Sequence, residues 1–259
     1  MKAVLFDLDN TLLLEDEVTE RAFRTAAAFA RERRELDARA LADAAQDEAE
    51  RLWRASPTFA RADAIGISPG EAMWGDFSGA GAGLERLQEF SMRFRQEVWS
   101  VALARCGVVG PRLAALVAQA FVEARRAGQL ADPDAASVLA TLAARYRLGV
   151  VTNGASGVQR EKLAGSGFAP HFGAVVVSGE VGHGKPDPGL VRAALDALGV
   201  APRDAVMVGD SIERDVAAAR AAGVYAVWID RGGSDADGPA PDARITSLRE
   251  LPALLDALP

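Results

Sequence analysis

Val4-Leu5-Phe6-Asp7-Leu8-Asp9-Asn10-Thr11 runs from a short apolar stretch straight into two aspartates one residue apart. A run of this length and type suits a strand buried on both faces, as in a parallel sheet. Two carboxylates at the end of such a strand are costly unless they meet water, a cation or a reacting group. In open α/β sheets the carboxyl ends of the strands open onto the ligand crevice, which is where chemistry happens. A plain strand-to-turn exit is the competing reading, because Asp, Asn and Thr all favour turns and caps. This stretch alone leaves both open.

The chain has 259 residues, enough for one large domain or two smaller ones. It is 49% hydrophobic and 25% charged, ordinary values for a globular protein. A net charge of −7 argues against nucleic-acid polymers and anionic membranes as partners, while leaving small phosphorylated molecules open. The first residues enter strand sequence at once, without a basic segment and an apolar signal region. No uninterrupted apolar stretch is long enough to span a bilayer. Cys106 is the single cysteine, so an intrachain disulfide is impossible. A cytoplasmic protein is the expectation, its oligomeric state open.

Beyond Thr11 the composition shifts to Ala, Arg, Glu and Leu at helical spacing. The pattern predicts helices over residues 17–34, 37–54, 84–106 and 111–127. Between the second and third, residues 65–83 carry six glycines beside Trp74 and Phe77 and read as a loop. From Leu130 helices and strands alternate. Strands are predicted over residues 147–152, 174–178, 205–209 and 225–229. Helices are predicted over residues 133–145, 156–166, 188–198, 212–222 and 247–258, with Asp132 as N-cap of the first. Repeated β-α units imply a parallel sheet with right-handed crossovers. The first strand joins that sheet, since a lone strand cannot stand by itself. The expected fold is therefore α/β, a Rossmann-like parallel core (residues 1–14 and 128–259) with an inserted α-helical cap (residues 15–127).

Further motifs fall at the ends of the core strands. Thr152-Asn153-Gly154 offers a hydroxyl and a run of backbone amides suited to phosphate oxygens, or else a simple Asn-Gly turn. Lys185 lies in Gly184-Lys185-Pro186-Asp187-Pro188, a loop that opens a helix. Gly209-Asp210-Ser211 ends another buried strand, with Asp215 one helical turn on. Asp210 suits either an N-cap or a hard oxygen ligand for Mg²⁺ beside Asp7 and Asp9.

Taken together, Asp7-x-Asp9-x-Thr11, Thr152, Lys185 and Gly209-Asp210 with Asp215 resemble the ordered motifs of the haloacid dehalogenase superfamily. The helical insertion resembles the cap of its branch containing N-acylneuraminate-9-phosphatase, phosphoglycolate phosphatase and pyrimidine-nucleotidase-like enzymes. The resemblance implies a Mg²⁺-dependent phosphomonoester hydrolase acting on a small phosphorylated metabolite. Asp7 would be the nucleophile that forms an aspartyl-phosphate, and Asp9 the acid and base. Thr152, Asn153 and Lys185 would hold the phosphoryl group. Asp7, the main-chain carbonyl of Asp9, and Asp210 would bind Mg²⁺, with Ser211 and Asp215 supporting them from behind. His183 has no matching role.

Physical chemistry is consistent with that division of labour. A carboxylate attacking an anionic phosphate needs a cation nearby, and phosphoryl transfer depends on positioning and charge stabilisation. The L-2-haloacid dehalogenases of the same superfamily lack an acid matching Asp9, so its presence here favours a phosphatase. A phosphomutase and a phosphate-binding regulatory protein are the other readings. Substrate choice is expected to lie in the insertion, with Trp74 and Phe77 as candidates to line the cleft and Trp53, Phe94 and Trp99 mainly as core.

Overall fold

The computed structural model describes residues 1–77, 85–232 and 238–258. Two compact units emerge, one of Met1–Leu14 with Leu130–Pro259 and one of Glu15–Gln129.

The first unit is built on six parallel strands: β1 (Ala3–Phe6), β2 (Arg147–Thr152), β3 (Ala174–Val177), β4 (Ala205–Gly209), β5 (Tyr225–Ile229) and β6 (Ala243–Ile245). Their order is β3-β2-β1-β4-β5-β6, so β1 sits between β2 and β4. This is the α/β parallel sheet that the alternating pattern predicts. Every residue of β1 is buried, and its side chains alternate between two cores. Val4 and Phe6 pack with Leu139, Leu148, Val208 and Ile229 on one face. Ala3 and Leu5 pack with Leu190, Leu195 and Met207 on the other. Burial of each large side chain stabilises by roughly 1.5–3 kcal/mol, which is why an unbroken apolar run becomes a central strand.

Three details depart from expectation. β6 is an additional strand of only three residues, Ala243-Arg244-Ile245, too short and mixed to show an apolar run. The helix expected from residue 133 begins at Ala135, with Asp134 at its cap position. Asp132 instead accepts a 2.8 Å hydrogen bond from the Asp134 amide and pairs with Arg231 at 2.7 Å. Finally, the helix after β4 starts as a wide π-helical turn, Ile212–Val216, before continuing as Ala217–Ala222. Such turns recur at functional sites.

The second unit consists mainly of the helices Glu15–Arg31, Ala38–Arg54, Glu85–Arg105 and Pro111–Ala127. Phe23, Trp99 and Phe121 form one aromatic cluster in it, and Trp53, Phe90 and Phe94 another. Residues 65–77 are not all loop: Pro69–Ala72 forms one helical turn, capped by Ser68 Oγ accepting from the Glu71 amide. Gly79, Gly81 and Gly83 of the expected loop lie outside the described residues. Among the described residues, no helix is long and apolar enough to cross a membrane.

Candidate active site

Parallel pairing brings the acids together. Phe6 is in register with Val208, and the Asp7 amide extends that ladder with a 2.9 Å hydrogen bond to the Val208 carbonyl. The chain therefore leaves β1 at Asp7 beside the place where β4 gives way to Asp210. Trp228 of β5 fixes the Asp210 backbone from the other side, its indole N–H donating to the Asp210 carbonyl at 2.8 Å. Asp215 follows on the π-helical turn. One oxygen from each of Asp7, Asp210 and Asp215 lies within 4.8 Å of the others.

Lys185 completes this group. Its Nζ is 2.5 Å from Asp7 Oδ1, 2.6 Å from Asp215 Oδ1 and 2.8 Å from the Val151 carbonyl. Burial opposes the charge on Lys185, but Asp215 and Asp7 outweigh it and hold the ammonium above its ordinary range. Burial raises Asp7 to about 7, reinforced by Asp215 and Asp9 and opposed by Lys185. Burial raises Asp210 to about 8, reinforced by Asp215 and Asp7. Three carboxylates against one ammonium leave two negative charges uncompensated when all are ionised. A hard divalent cation fits that donor set in both charge and oxygen chemistry.

The supporting contacts are local. Ser211 donates its amide to Asp215 Oδ2 at 3.0 Å and accepts from the Arg214 amide through Oγ. Gly209 is required by packing, because a Cβ there would lie 2.3 Å from Asp215 Cγ. Thr152 is buried at the end of β2. The Asn153 side chain binds backbone on both sides of its amide: Nδ2 donates to the Lys185 carbonyl at 3.0 Å, and Oδ1 accepts from the Lys185 amide at 2.8 Å. It thus ties the Thr152 turn to the lysine loop. Buried Ser178 accepts from the Gly154 amide at 2.8 Å, holding the same turn.

Asp9 stands apart from the metal-type cluster. Its carboxylate is bound by Lys162 and by Gln159, neither of which the sequence reading singles out. Arg231 is a third such residue, donating to the carbonyls of Asn10 and Thr11 and pairing with Asp132. His183 is half-exposed, its Nε2 3.4 Å from Asp187 Oδ1. Trp74 and Phe77 present no exposed ring, each being 2% exposed. The Arg125 guanidinium lies 4.6 Å from the centre of the Trp74 ring. Burial of large rings is stabilising in itself.

Comparison with known proteins decides the family. The model of the haloacid dehalogenase-like hydrolases matches residues 1–223. This chain belongs to that family. The hydrolase is 43% identical over 253 residues to a phosphoserine phosphatase of Thermus thermophilus, covering 97% of this chain and 98% of the relative. It is 30% identical over 258 residues to a glyceraldehyde 3-phosphate phosphatase of Methanopyrus kandleri, covering 97% and 95% respectively. Its fold matches that of the HAD-hydrolase YfnB of Bacillus subtilis with a TM-score of 0.67 at 21% identity, covering 98% of both chains. As a haloacid dehalogenase-like hydrolase it carries its acids at the strand ends from which the fold opens its ligand crevice.

Proposed function

We propose that this hydrolase is a Mg²⁺-dependent phosphomonoesterase, acting on a small phosphorylated metabolite through an aspartyl-phosphate on Asp7. The observation that carries this reading is the cluster of Asp7, Asp210 and Asp215, in which buried Asp7 and Asp215 both pair with the ammonium of Lys185. Asp7, Asp210 and the main-chain carbonyl of Asp9 would hold Mg²⁺, with Asp215 close behind. The ion would supply charge that keeps Asp7 ionised and draws off charge from the phosphoryl oxygens.

The protein's own groups account for the rest. Asp7 attacks phosphorus, and the bond to the leaving oxygen breaks as that oxygen takes a proton from Asp9. Water then attacks phosphorus, gives its proton to Asp9, and the bond to Asp7 breaks to release phosphate. Lys185 and the turn at Thr152 stabilise the phosphoryl oxygens in both steps. Asn153 contributes by fixing the lysine loop to that turn. General acid catalysis contributes about 10²–10⁴-fold, so the acid, the cations and the positioning must act together.

The full-length curated relatives are named as phosphatases, which favours this reading over a dehalogenase or a phosphomutase. Two full-length relatives named for three-carbon phosphate esters make phosphoserine the first substrate to try. The helical unit Glu15–Gln129 is the proposed cap that selects the substrate, and the enzyme is taken to be cytoplasmic. The test is phosphate release from phosphoserine, a nucleotide panel and sugar phosphates, with Mg²⁺ and with EDTA. Metal-dependent release from one of these supports the reading. Metal-independent chloride release from 2-chloropropionate, with no phosphate release, would replace it with a dehalogenase.

A further inference from the structure

Gln159 and Lys162 lie one helical turn apart on Ser156–Ser166, and they are 1% and 3% exposed. Neither belongs to the phosphate or metal chemistry above. Lys162 Nζ is 3.0 Å from Asp9 Oδ1 and 2.9 Å from Asp9 Oδ2. Gln159 Nε2 donates to Asp9 Oδ2 at 2.9 Å and to the Asn153 carbonyl at 2.6 Å. Residues three apart on a helix share a face, so both side chains reach the same carboxylate. A buried ammonium and a buried amide are costly, and apolar residues of similar volume would serve stability as well.

The polar pair also does something an apolar pair cannot: it grips both oxygens of Asp9 and, through the Asn153 carbonyl, links them to the phosphate-binding turn. We propose that Gln159 and Lys162 are positioning residues for Asp9, holding its carboxylate in register with that turn for proton transfer to the leaving oxygen. Its catalytic consequence rests on the phosphomonoesterase reading. The helix that follows the Thr152 turn thereby connects phosphate binding to acid catalysis.

Leaving-group dependence separates this role from simple structural support. p-Nitrophenyl phosphate releases a stable anion and needs little proton donation, whereas phosphoserine releases an alkoxide that needs it fully. Lys162→Met is expected to lower kcat on phosphoserine by about 10²-fold, within the range of general acid catalysis, with little change in KM. On p-nitrophenyl phosphate the loss should be only a few-fold, and Lys162→Arg should recover part of the deficit. Because the pair acts through Asp9, adding Lys162→Met to Asp9→Asn should cost nothing more. Equal losses on both esters, no loss on either, or a full further loss in the Asp9→Asn background would overturn the proposal. Should Lys162→Met fail to fold, as judged by circular dichroism, Gln159→Leu enters the same cycle with the same expected pattern. A wild type inactive on all phosphate esters would defeat the phosphomonoesterase reading instead. The positional claim then rests on NMR: a protected Lys162 ammonium resonance lost in Asp9→Asn upholds it, and no protected resonance in the wild type overturns it.

Discussion

Lys185 Nζ sits 2.5 Å from Asp7 Oδ1, with the two side chains only 2% and 9% exposed. A buried pair of this kind is a weak source of net stability but a sensitive one, because removing one partner strands the other. Lys185→Met leaves Asp7, Asp210 and Asp215 facing one another without their cation. We expect a loss of about 10²–10³-fold in phosphate release and, without metal, a destabilisation of about 3–5 kcal/mol. Steady-state kinetics and thermal unfolding, with and without Mg²⁺, check both. Wild-type turnover in Lys185→Met would remove the lysine from the account.

Gly209 is tied to the site by space alone. An added Cβ would lie 2.3 Å from Cγ and Oδ2 of Asp215, a short side chain only 1% exposed that cannot swing aside. Gly209→Ala should therefore displace Asp215 and with it the Lys185 contact. The expected result is an overpacking cost of about 1–3 kcal/mol and a fall in kcat larger than that cost alone explains. Gly110→Ala, whose Cβ would meet nothing closer than 3.6 Å, is the control: at the N-cap of Pro111–Ala127 it should cost only about 1 kcal/mol in the melt and leave kcat at the wild-type value.

Stability without metal should depend on pH in a definite direction. Folding raises Asp7 from 3.8 to about 7 and Asp210 from 3.8 to about 8, so in the native protein both favour the protonated form. Their contribution is fully present below 3.8 and is lost as pH rises through about 7 and 8. Mg²⁺ competes with those protons, so the increase in Tm that it produces should be small near pH 5 and grow towards pH 8. At a concentration 100 times its Kd, the ion should stabilise by about 2.7 kcal/mol, or roughly 5–10 °C. Calorimetric scans across that pH range measure it. A Tm increment that shrinks as pH rises would show that the acids are not the metal site.

Much of this was legible in the chain because the reacting groups follow strand ends. Asp7, Thr152 and Asp210 each come directly after or at the end of an apolar run, and such runs are the strongest signal of a buried parallel strand. The Asp9 partners are not legible in that way. Gln159 and Lys162 lie in Ser156–Ser166 beside exposed Arg160 and Glu161, and their pairing with a residue about 150 positions earlier leaves no local mark. β6 was hidden because Ala243-Arg244-Ile245 has a charged residue at its centre. Asn153 was legible as a turn residue, but its two hydrogen bonds to the Lys185 backbone depend on contact between distant loops. The burial of Trp74 and Phe77 was not legible either, because aromatic residues in a glycine-rich stretch carry no periodicity that shows what covers them.

The most direct measurement is acid quench of the enzyme during turnover of its best phosphate ester with Mg²⁺, followed by mass spectrometry of the peptides. The expected result is one phosphoryl group on the peptide bearing Asp7, absent with EDTA and absent in Asp7→Asn, which should fold normally but release no phosphate. Steady phosphate release by Asp7→Asn, or a phosphoryl group carried by any other residue, would contradict it.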